Sequence, residues 1–326
     1  MHYLGSKAKL LPFIRATIRD VAGENLHQKV FCDLFAGSGA VSVAYKEEVS
    51  SLILNDMEYY SYVLLRNILR TKPLNGLDEA MGILVTCKGV KGKIFSDYAL
   101  GGGVGRSYFS DENAQKIDAL RLAIETYASD EALYFCLLAS LIESAHRVSN
   151  IASIYGAFLK QLKPLAQKAL EFKPLVYEQT HIPTQVYCED ANTLIERISG
   201  DVLYLDPPYN HRQYGANYHL LNTIARYDKM IPKGKTGVRQ YVSSRYCKAK
   251  TALDALEELV RKAQFSTLFL SYNNEGLISQ TMMADMMKKY GRYTLFSHEH
   301  PRFKAHAHHG TNPKTIEFLH VLEKRG

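Results

Sequence analysis

The sequence predicts an α/β fold in which helices cover a mostly parallel sheet of seven strands. Short runs rich in β-branched and aromatic residues alternate with segments of helical periodicity, which is typical of βαβ units. Seven such runs occur along the 326 residues. A chain of this length can also bury a full α/β core together with a second, smaller module.

The predicted elements follow one another regularly from the N-terminus. The first helix is KLLPFIRATIRDV, whose apolar face is formed by Leu10, Leu11, Ile14, Ile18 and Val21. KVFCDLFAG is predicted to be a strand that ends in glycine, VSVAYKEEV a helix and SLILND a second strand. The remaining five strands are TQVYCED, DVLYLD, STLFLSY, RYTLFSH and TIEFLHVLE.

A helical insertion over residues 71–175 is predicted to interrupt this alternation, and residues 1–70 and 176–326 would then form the main domain. The insertion contains the glycine-rich loop LGGGVGRSYFSDEN and two helical segments. The first begins at an N-cap, Ser110 or Asp111. Its apolar face is formed by Ile117, Leu120, Ile124 and Tyr127. The second, EALYFCLLASLIESAHRV, is apolar on nearly all sides, so we expect it to be buried.

Composition narrows the function classes. No run approaches the roughly 20 apolar residues of a membrane span, and the first residues lack the apolar core of a signal peptide. We therefore expect a cytoplasmic protein without a membrane partner. Its five cysteines show no metal-ligand spacing and are expected to be free thiols. Five histidines lie between residues 298 and 310, but no acid or cysteine is patterned with them, so we predict no metal site.

Positive charge is concentrated in one part of the chain. The formal net charge is +7, and residues 211–250 hold nine Lys or Arg against the single acid Asp228. A solvated surface would account for this pattern. A surface that faces phosphates is the alternative that we favour.

A glycine turn and an acid mark a first candidate site. Gly37 and Gly39, in DLFAGSGAVS, follow a predicted strand and precede a helix, where glycine allows a ligand to approach the backbone. A dinucleotide fingerprint would place Gly or Ala where this chain has Ser42, which disfavours an NAD oxidoreductase. Asp56 ends the next strand and could accept both hydroxyls of a ribose. Together they favour an adenosine-type cofactor, with a simple tight turn as the alternative.

A second candidate site follows the strand DVLYL, which two prolines terminate in Asp206-Pro207-Pro208-Tyr209. The exocyclic amine of a nucleobase is a poor nucleophile because its lone pair is delocalised into the ring. The Asp206 carboxylate and the rigidly held Pro207 carbonyl could accept its two N–H bonds and draw it toward tetrahedral geometry. Tyr209 could stack on a base that has been flipped out of the helix. The alternative is a proline-terminated strand with a surface aspartate.

In this order, DLFAGSG, Asp56 and DPPY resemble the D12 class of S-adenosylmethionine-dependent N6-adenine DNA methyltransferases, the group that includes the Dam enzyme. YLGSKAKLLPFI resembles the opening cofactor motif of that class, an aromatic residue followed by Gly-Gly-Lys. Tyr3, Gly5, Ser6 and Lys7 occupy these places, and Ser6 departs from glycine. The segments GRSYFSDENAQKID, DPPYNHRQYGANYHLLNTIARYD and LFLSYNNEGLIS look most like FokI-type modification methyltransferases.

The resemblance implies a Rossmann-like methyltransferase fold and transfer of the methyl group of S-adenosylmethionine to N6 of an adenine in double-stranded DNA. The catalytic residues would be those of the DPPY motif. The residues implied in cofactor binding are Tyr3, Gly5, Ser6, Lys7, Asp33, Phe35, Gly37, Gly39, Asp56, Asp190 and Asp206. N4-cytosine methylation, RNA-adenine methylation and a non-catalytic DNA-binding relative stay open as alternatives. A cognate restriction endonuclease acting on the same site is a candidate partner, and we expect a monomer or a weak dimer.

The residues predicted to contact DNA lie in polar and basic loops and in the insertion, which would help to recognise the target. Segment 210–219 mixes side chains suited to bases and phosphates, and the basic loop KMIPKGKTGVRQYVSSRYCKAK is long enough to be functional. Plain solvent loops are the alternative. The predicted DNA-binding residues are Arg106, Asn210, Arg212, Gln213, Tyr214, Asn217, Lys233, Lys235, Arg239 and Arg245.

Overall fold

The computed structural model describes residues 7–301 and 314–325, and in these ranges the chain forms two compact units. We call them the sheet unit (described residues 7–57, 181–213, 243–301 and 314–325) and the helical unit (described residues 58–180 and 214–242). The predicted cofactor residues Tyr3, Gly5 and Ser6 and most of the histidine-rich segment lie outside the described residues. In the ranges given above, no helix is long and apolar enough to cross a membrane.

The sheet unit is built on seven strands in its described part. They are β1 (Val30–Asp33), β2 (Ser51–Asn55), β3 (Thr184–Tyr187), β4 (Ser199–Leu205), β5 (Gln264–Asn273), β6 (Gly291–Pro301) and β7 (Lys314–Lys324). Their order in the sheet is 3-2-1-4-5-7-6. Strands β1 to β5 pair in parallel, and β7 is antiparallel to both β5 and β6. The predicted seven-stranded, mostly parallel α/β fold is therefore confirmed, and its order resembles the Rossmann-like arrangement.

Thirteen α-helices lie in the described residues of the two units. In chain order they are α1 (Leu11–Ala22), α2 (Ala40–Tyr45), α3 (Tyr59–Ile68), α4 (Leu77–Thr86), α5 (Lys93–Tyr98), α6 (Asp111–Ile124), α7 (Glu131–Arg147), α8 (Pro164–Gln167), α9 (Ala191–Leu194), α10 (Tyr214–Asn217), α11 (His219–Arg226), α12 (Ala252–Lys262) and α13 (Gln280–Lys288). A short 3₁₀ helix, Lys7–Leu10, precedes α1.

Strand β4 carries the DPPY motif at its end and runs through the core of the sheet unit. It lies between β1 and β5, and its residues Val202 to Leu205 are buried. A central parallel strand is covered on both faces, which explains why this segment is a continuous apolar run rather than an alternating one. Its side chains Leu203 and Leu205 pack in one cluster with α12 and α13, represented by Leu256 and Met283.

Helix α7 is the centre of the helical unit. Twelve of its 17 residues are buried, because α3, α6 and α11 all pack against it. This confirms the prediction, made from its uniform apolarity, that the helix is buried.

Two helices of this unit begin at side-chain N-caps. Ser110 caps α6, and its Oγ accepts from Asn113 N at 3.3 Å. Asp130 caps α7, and its Oδ1 accepts from Leu133 N at 3.1 Å.

The helical unit is larger than the predicted insertion 71–175. It also contains α3 and the segment 214–242, which follows β4 and the DPPY motif in sequence. The buried side chains Leu64 of α3 and Leu221 of α11 belong to the same apolar cluster as α7. The periodicity of an apolar face does not show which core that face joins, so the bounds of the helical unit differ from those of the predicted insertion.

Candidate active site

The residues predicted to bind a cofactor and a base follow three neighbouring strands. β1 lies between β2 and β4, so the glycine turn after β1 has Asp56 on one side and Asp206 on the other. From β1 the sheet extends on one side through β2 and β3, and on the other side through β4 and β5, so the strand order reverses between β1 and β4. Ligands of open α/β sheets bind at the carboxyl ends of the strands where the order reverses in this way.

The glycine turn and Asp56, predicted from separate patterns, are joined by a hydrogen bond. Gly37 N donates to Asp56 Oδ2 at 2.8 Å. Gly37 and Gly39 have φ angles of 53° and 76°, in the left-handed region that favours glycine. Gly39 N donates to Ala36 O at 2.7 Å and closes the turn. The acid therefore also fixes the loop against which a ligand would lie.

Asp33 is a buried carboxyl at the end of β1. Ser42 Oγ donates to its Oδ2 at 2.6 Å, and Oδ1 has no hydrogen-bond partner among the described residues. Burial chiefly raises the pKa of Asp33 to about 7, against the opposing hydrogen bond from Ser42, and the charges of Asp206 and Asp56 add to the rise. Ser42, where a dinucleotide fingerprint has Gly or Ala, thus orients a carboxyl whose second oxygen can accept from a ligand.

Asn55, which the sequence analysis missed, holds three strand ends together. Its buried amide nitrogen donates to Leu34 O at 3.2 Å and to Glu189 O at 3.1 Å, and its Oδ1 accepts from Glu189 N at 3.0 Å. These bonds join the segments that follow β1, β2 and β3. A polar residue at the end of the apolar run LIL was the signal that could have identified it.

Asp190 and Phe35 lie at the same edge of the sheet. Asp190 Oδ1 accepts from the backbone of Asn192 and Thr193 at 3.0 and 3.1 Å, and so it caps α9 while remaining exposed. Phe35 contacts Tyr246 edge to face, with 5.2 Å between ring centroids. The structure shows these contacts, and the role of both residues toward a cofactor stays a prediction.

Asp206 belongs to a buried cluster of three charges. Lys7 Nζ lies 3.1 Å from Asp206 Oδ1 and 2.6 Å from Glu317 Oε1, and the three side chains are 7%, 19% and 5% exposed in the order Lys7, Asp206, Glu317. Burial would lower the pKa of Lys7, but the two carboxylates outweigh it and raise that pKa, so Lys7 stays charged. Burial raises the pKa of Asp206 to about 6, opposed by Lys7 and reinforced by Glu317.

The sequence analysis identified Lys7 and Asp206 but missed Glu317. Glu317 lies on β7, 310 residues from Lys7 in the chain, and Ser271 Oγ also donates to its Oε1 at 3.4 Å. An acid at a buried position within the apolar run TIEFLHVLE was the available signal. Nothing in its spacing, however, connects it with Lys7 or Asp206.

The DPPY motif is held by the segment that follows β5. Leu277 N donates to Tyr209 O at 2.9 Å. The Tyr209 ring is half-buried, meets Tyr272 edge to face at 6.2 Å, and lies 5.8 Å from Lys7 Nζ. Pro207 is buried and Pro208 is half-buried. An aromatic ring and a carboxylate are therefore placed at one point, as the sequence predicts.

Several predicted DNA-binding residues of the sheet unit have contacts within the protein. Asn210 Oδ1 accepts from Arg212 N at 3.0 Å, and Gln213 pairs through its amide with the backbone of Ser244. Arg245 forms an ion pair with Glu258 at 2.7 Å. The Arg212 side chain is exposed.

Residues 233–238 of the basic segment form a tight turn in the helical unit, which we call the anchored turn. Lys233 and Val238 exchange backbone hydrogen bonds of 2.9 Å in both directions. Gly234 and Gly237 adopt φ angles of 68° and 67°. These residues therefore have a defined backbone conformation, and both their contact with DNA and the alternative of a solvent loop stay predictions.

Four successive carbonyl groups of the anchored turn accept hydrogen bonds from three side chains. These bonds are Arg106 Nη2 to Gly234 O at 3.1 Å, Arg106 Nε to Lys235 O at 3.2 Å, Tyr108 Oη to Thr236 O at 3.1 Å and Tyr98 Oη to Gly237 O at 2.7 Å. Both tyrosine side chains are fully buried. With its carbonyls held inward, the turn keeps the Lys233 and Lys235 side chains exposed.

The remaining predicted DNA-binding residues of the helical unit have structural contacts. Arg106 also donates to Asp97 O at 3.2 Å, and Arg239, 10% exposed, forms an ion pair with Asp228 at 2.7 Å. Tyr214 stacks on Tyr218, and the Asn217 carbonyl accepts from Tyr155 N at 2.8 Å. A direct role of these residues in DNA binding stays a prediction. Among the residues that the structure covers, no group of three His, Cys, Asp or Glu could hold a metal ion.

Comparison with known proteins gives consistent matches. Residues 3–286 match the family described as D12 class N6 adenine-specific DNA methyltransferase. The chain is 49% identical to Type II methyltransferase M.NlaIII of Neisseria lactamica, with 99% of each protein covered. It is 35% identical to M.CviAII of Paramecium bursaria Chlorella virus 1, over 93% of this chain and 92% of that one. It is also 34% identical to M.FokI of Planomicrobium okeanokoites, over 99% of this chain and 53% of that protein. The chain therefore belongs to the D12 class N6 adenine-specific DNA methyltransferase family.

Proposed function

We propose that this DNA methyltransferase transfers the methyl group of S-adenosylmethionine to N6 of a flipped adenine in double-stranded DNA. One observation carries the proposal: a half-buried carboxylate, Asp206, directly follows the central strand beside an ammonium group and precedes Pro207, Pro208 and Tyr209. Two other acids follow the neighbouring strands β1 and β2. This arrangement suits an amine acceptor on one side and a nucleoside cofactor on the other.

The residues at the ends of β1 and β2 fit a nucleoside cofactor. Asp56 is a carboxylate suited to a ribose, and Gly37 has open space around its Cα that leaves room for close approach of a ligand to the turn. The unpartnered, buried Oδ1 of Asp33 could accept from a hydroxyl or ammonium group. When bound, S-adenosylmethionine supplies a methyl group activated by a sulfonium. The role of Tyr3, Gly5, Ser6, Lys7, Phe35 and Asp190 in holding it is part of the proposal.

The chain's own residues would position the base. Asp206 accepts one N–H of the adenine amine, the Pro207 carbonyl accepts the other, and Tyr209 stacks on the ring. Lys7 holds the Asp206 carboxylate in place through their ion pair. Because a sulfonium would give up its methyl group with a neutral thioether as the leaving group, orientation of the amine is the main contribution of the protein.

The biological setting is also a proposal. The three relatives named above include two Type II methyltransferases of close to the same length as this chain. We infer a role in a restriction-modification system, with a cognate endonuclease acting on the same DNA site as partner. An odd number of cysteines, five in this sequence, suits the reducing cytoplasm, where that DNA would be found.

The test is to incubate the protein with labelled S-adenosylmethionine and duplex DNA, RNA or no nucleic acid, and then to identify the modified nucleoside after digestion. We expect N6-methyldeoxyadenosine from duplex DNA alone. N4-methyldeoxycytidine or label in RNA would change the assigned substrate. Absence of label in every sample would indicate a non-catalytic DNA-binding relative.

We expect the double substitution K233Q/K235Q to weaken binding of target and non-target duplexes alike. With each phosphate contact that is lost, DNA binding releases fewer counterions. The negative slope of log affinity against log salt should therefore become less steep by about 0.9 per lysine, or about 1.8 in total. Arg239 is left intact because its ion pair with Asp228 has a structural role. DNA affinity measured at several salt concentrations gives the slope.

The matched control is K72Q/K88Q, which removes two exposed lysines of the same unit. It should leave the slope close to that of the unmodified protein. Cofactor affinity should be unchanged in both variants. An unchanged slope in K233Q/K235Q would show that the anchored turn does not contact phosphate, and would move DNA binding to other parts of the helical unit.

A further inference from the structure

The cluster of Lys7, Asp206 and Glu317 contains one more carboxylate than a simple ion pair requires. Glu317 makes the shorter contact with the shared ammonium group, 2.6 Å against 3.1 Å for Asp206. Glu317 faces Asn273 across the antiparallel β5–β7 pair, and Ser271 of β5 donates to it. The acid is thus fixed by the sheet, and it shares the cation on which the reacting carboxylate depends.

Methyl transfer creates a proton that must leave the amine. A bond forms between the amine nitrogen and the methyl carbon, and the carbon–sulfur bond breaks with its electron pair going to sulfur. The nitrogen then carries a positive charge and releases a proton, for which Asp206 is the nearest carboxylate. Proton uptake converts that carboxylate to a neutral acid.

The charge of the cluster decides how favourable this uptake is. With all three groups ionised, the cluster carries a net charge of −1, and one proton brings it to zero. Lys7 and Asp206 alone would form a neutral pair, which the same proton would convert to a buried positive charge. A buried unpaired charge is costly in a low-dielectric interior, so the second carboxylate removes that cost.

We propose that Glu317 is a positioning residue, which holds the Lys7 ammonium group so that Asp206 keeps its strength as an acceptor for the amine proton. This inference rests on the proposed function. The charged and titratable groups around Asp206 and Glu317 are consistent with it: Lys7 and Glu317 contact each other, Tyr204 and Tyr209 belong to the segment that flanks Asp206, and Asp33 lies on the neighbouring strand. On the other side of β7, His298 of β6 is the cross-strand partner of Glu317.

The test is E317Q, which removes the charge and keeps the shape of the side chain. We expect kcat above neutral pH to fall about tenfold or more, since a general base contributes about 10²–10⁴-fold and its strength is only reduced here. Loss of the negative neighbour lowers the pKa of Asp206, so the acid limb of the kcat profile should move to lower pH. Dissociation constants for DNA and for S-adenosylhomocysteine should stay within about twofold of those of the unmodified enzyme.

The matched control is E323Q on the same strand, where Glu323 pairs with the exposed Arg292 outside the cluster. It should leave kcat and the acid limb unchanged. E317D is the second variant, because it keeps the charge on a side chain one methylene shorter and serves if E317Q does not fold. The acid limb of its kcat profile should remain at the original pH, whatever value kcat reaches at high pH.

Two results would overturn the inference. One is a folded E317Q with the original kcat and acid limb, and the other is an E317D whose acid limb moves to lower pH. Either result, obtained with an unmodified enzyme that produces N6-methyldeoxyadenosine, leaves the proposed function intact. An unmodified enzyme that yields no such product rejects the proposed function itself.

Discussion

Asp206→Ala is expected to reduce the rate of methyl transfer by about 10²–10³-fold or more while the protein remains folded. The substitution removes a charged acceptor at the reacting amine, and removal of one oriented partner of a transition state has effects of this size. The fold should survive because Lys7 keeps its 2.6 Å contact with Glu317, so no buried ammonium group is left unpaired. Single-turnover measurements at saturating DNA and cofactor isolate this step.

The control for this experiment is Asp285→Ala, which removes an exposed acid on α13 of the same unit. It should retain the original rate. Thermal unfolding of both variants checks that the fold is preserved. A folded Asp206→Ala enzyme with near-original turnover would refute the role assigned to the carboxylate and leave the DPPY segment as a strand terminator.

Asp56→Ala is expected to raise the dissociation constant of S-adenosylhomocysteine by about 10–100-fold and to leave DNA affinity nearly unchanged. A hydrogen bond to a charged acceptor contributes about 1.5–3 kcal/mol, and each 1.4 kcal/mol corresponds to about a tenfold change. The substitution would also release Gly37 N, which now donates to Asp56 Oδ2 at 2.8 Å. Both losses weaken the binding of the nucleoside part of the cofactor.

Calorimetry with S-adenosylhomocysteine measures the effect, and Asp20→Ala is the control because Asp20 is an exposed acid on α1. Equal cofactor affinity in Asp56→Ala and in the unmodified protein would limit Asp56 to its contact with the glycine turn. A loss of DNA affinity of similar size would instead indicate a general disturbance of the sheet edge.

The strands could be predicted from the sequence because the relevant information is local. A run such as VLYL must be buried on both faces, and two prolines must end it. Asp206 and Asp56 could be found in the same way, since parallel strands place their carboxyl ends at one edge. The glycine turn could be predicted from the conformational freedom of Gly37 and Gly39 alone.

The features that were missed depend on contacts between distant parts of the chain. Glu317 meets Lys7 across 310 residues, and Asn55 meets Glu189 across 134. The same limit explains the boundary of the helical unit, since the apolar faces of α3 and α11 do not reveal which core they join. The contacts that Arg106 makes with the carbonyl groups of the anchored turn, and that Arg239 makes with Asp228, could not be read from the sequence either. The role of both arginines in DNA binding stays a prediction.

The division of the chain into interleaved segments has a consequence for how the protein is made. The chain crosses between the two units after residues 57, 180, 213 and 242. On the ribosome, Tyr98, Arg106 and Tyr108 therefore emerge more than 120 residues before the carbonyl groups of the anchored turn that they bind. Strand β7, which lies between β5 and β6, is the last strand to emerge. The helical unit lacks part of its core until residue 242 has emerged, and the sheet unit lacks an inner strand until β7 has emerged. Such non-local pairing makes folding slow and exposes unpaired β-strand edges to aggregation.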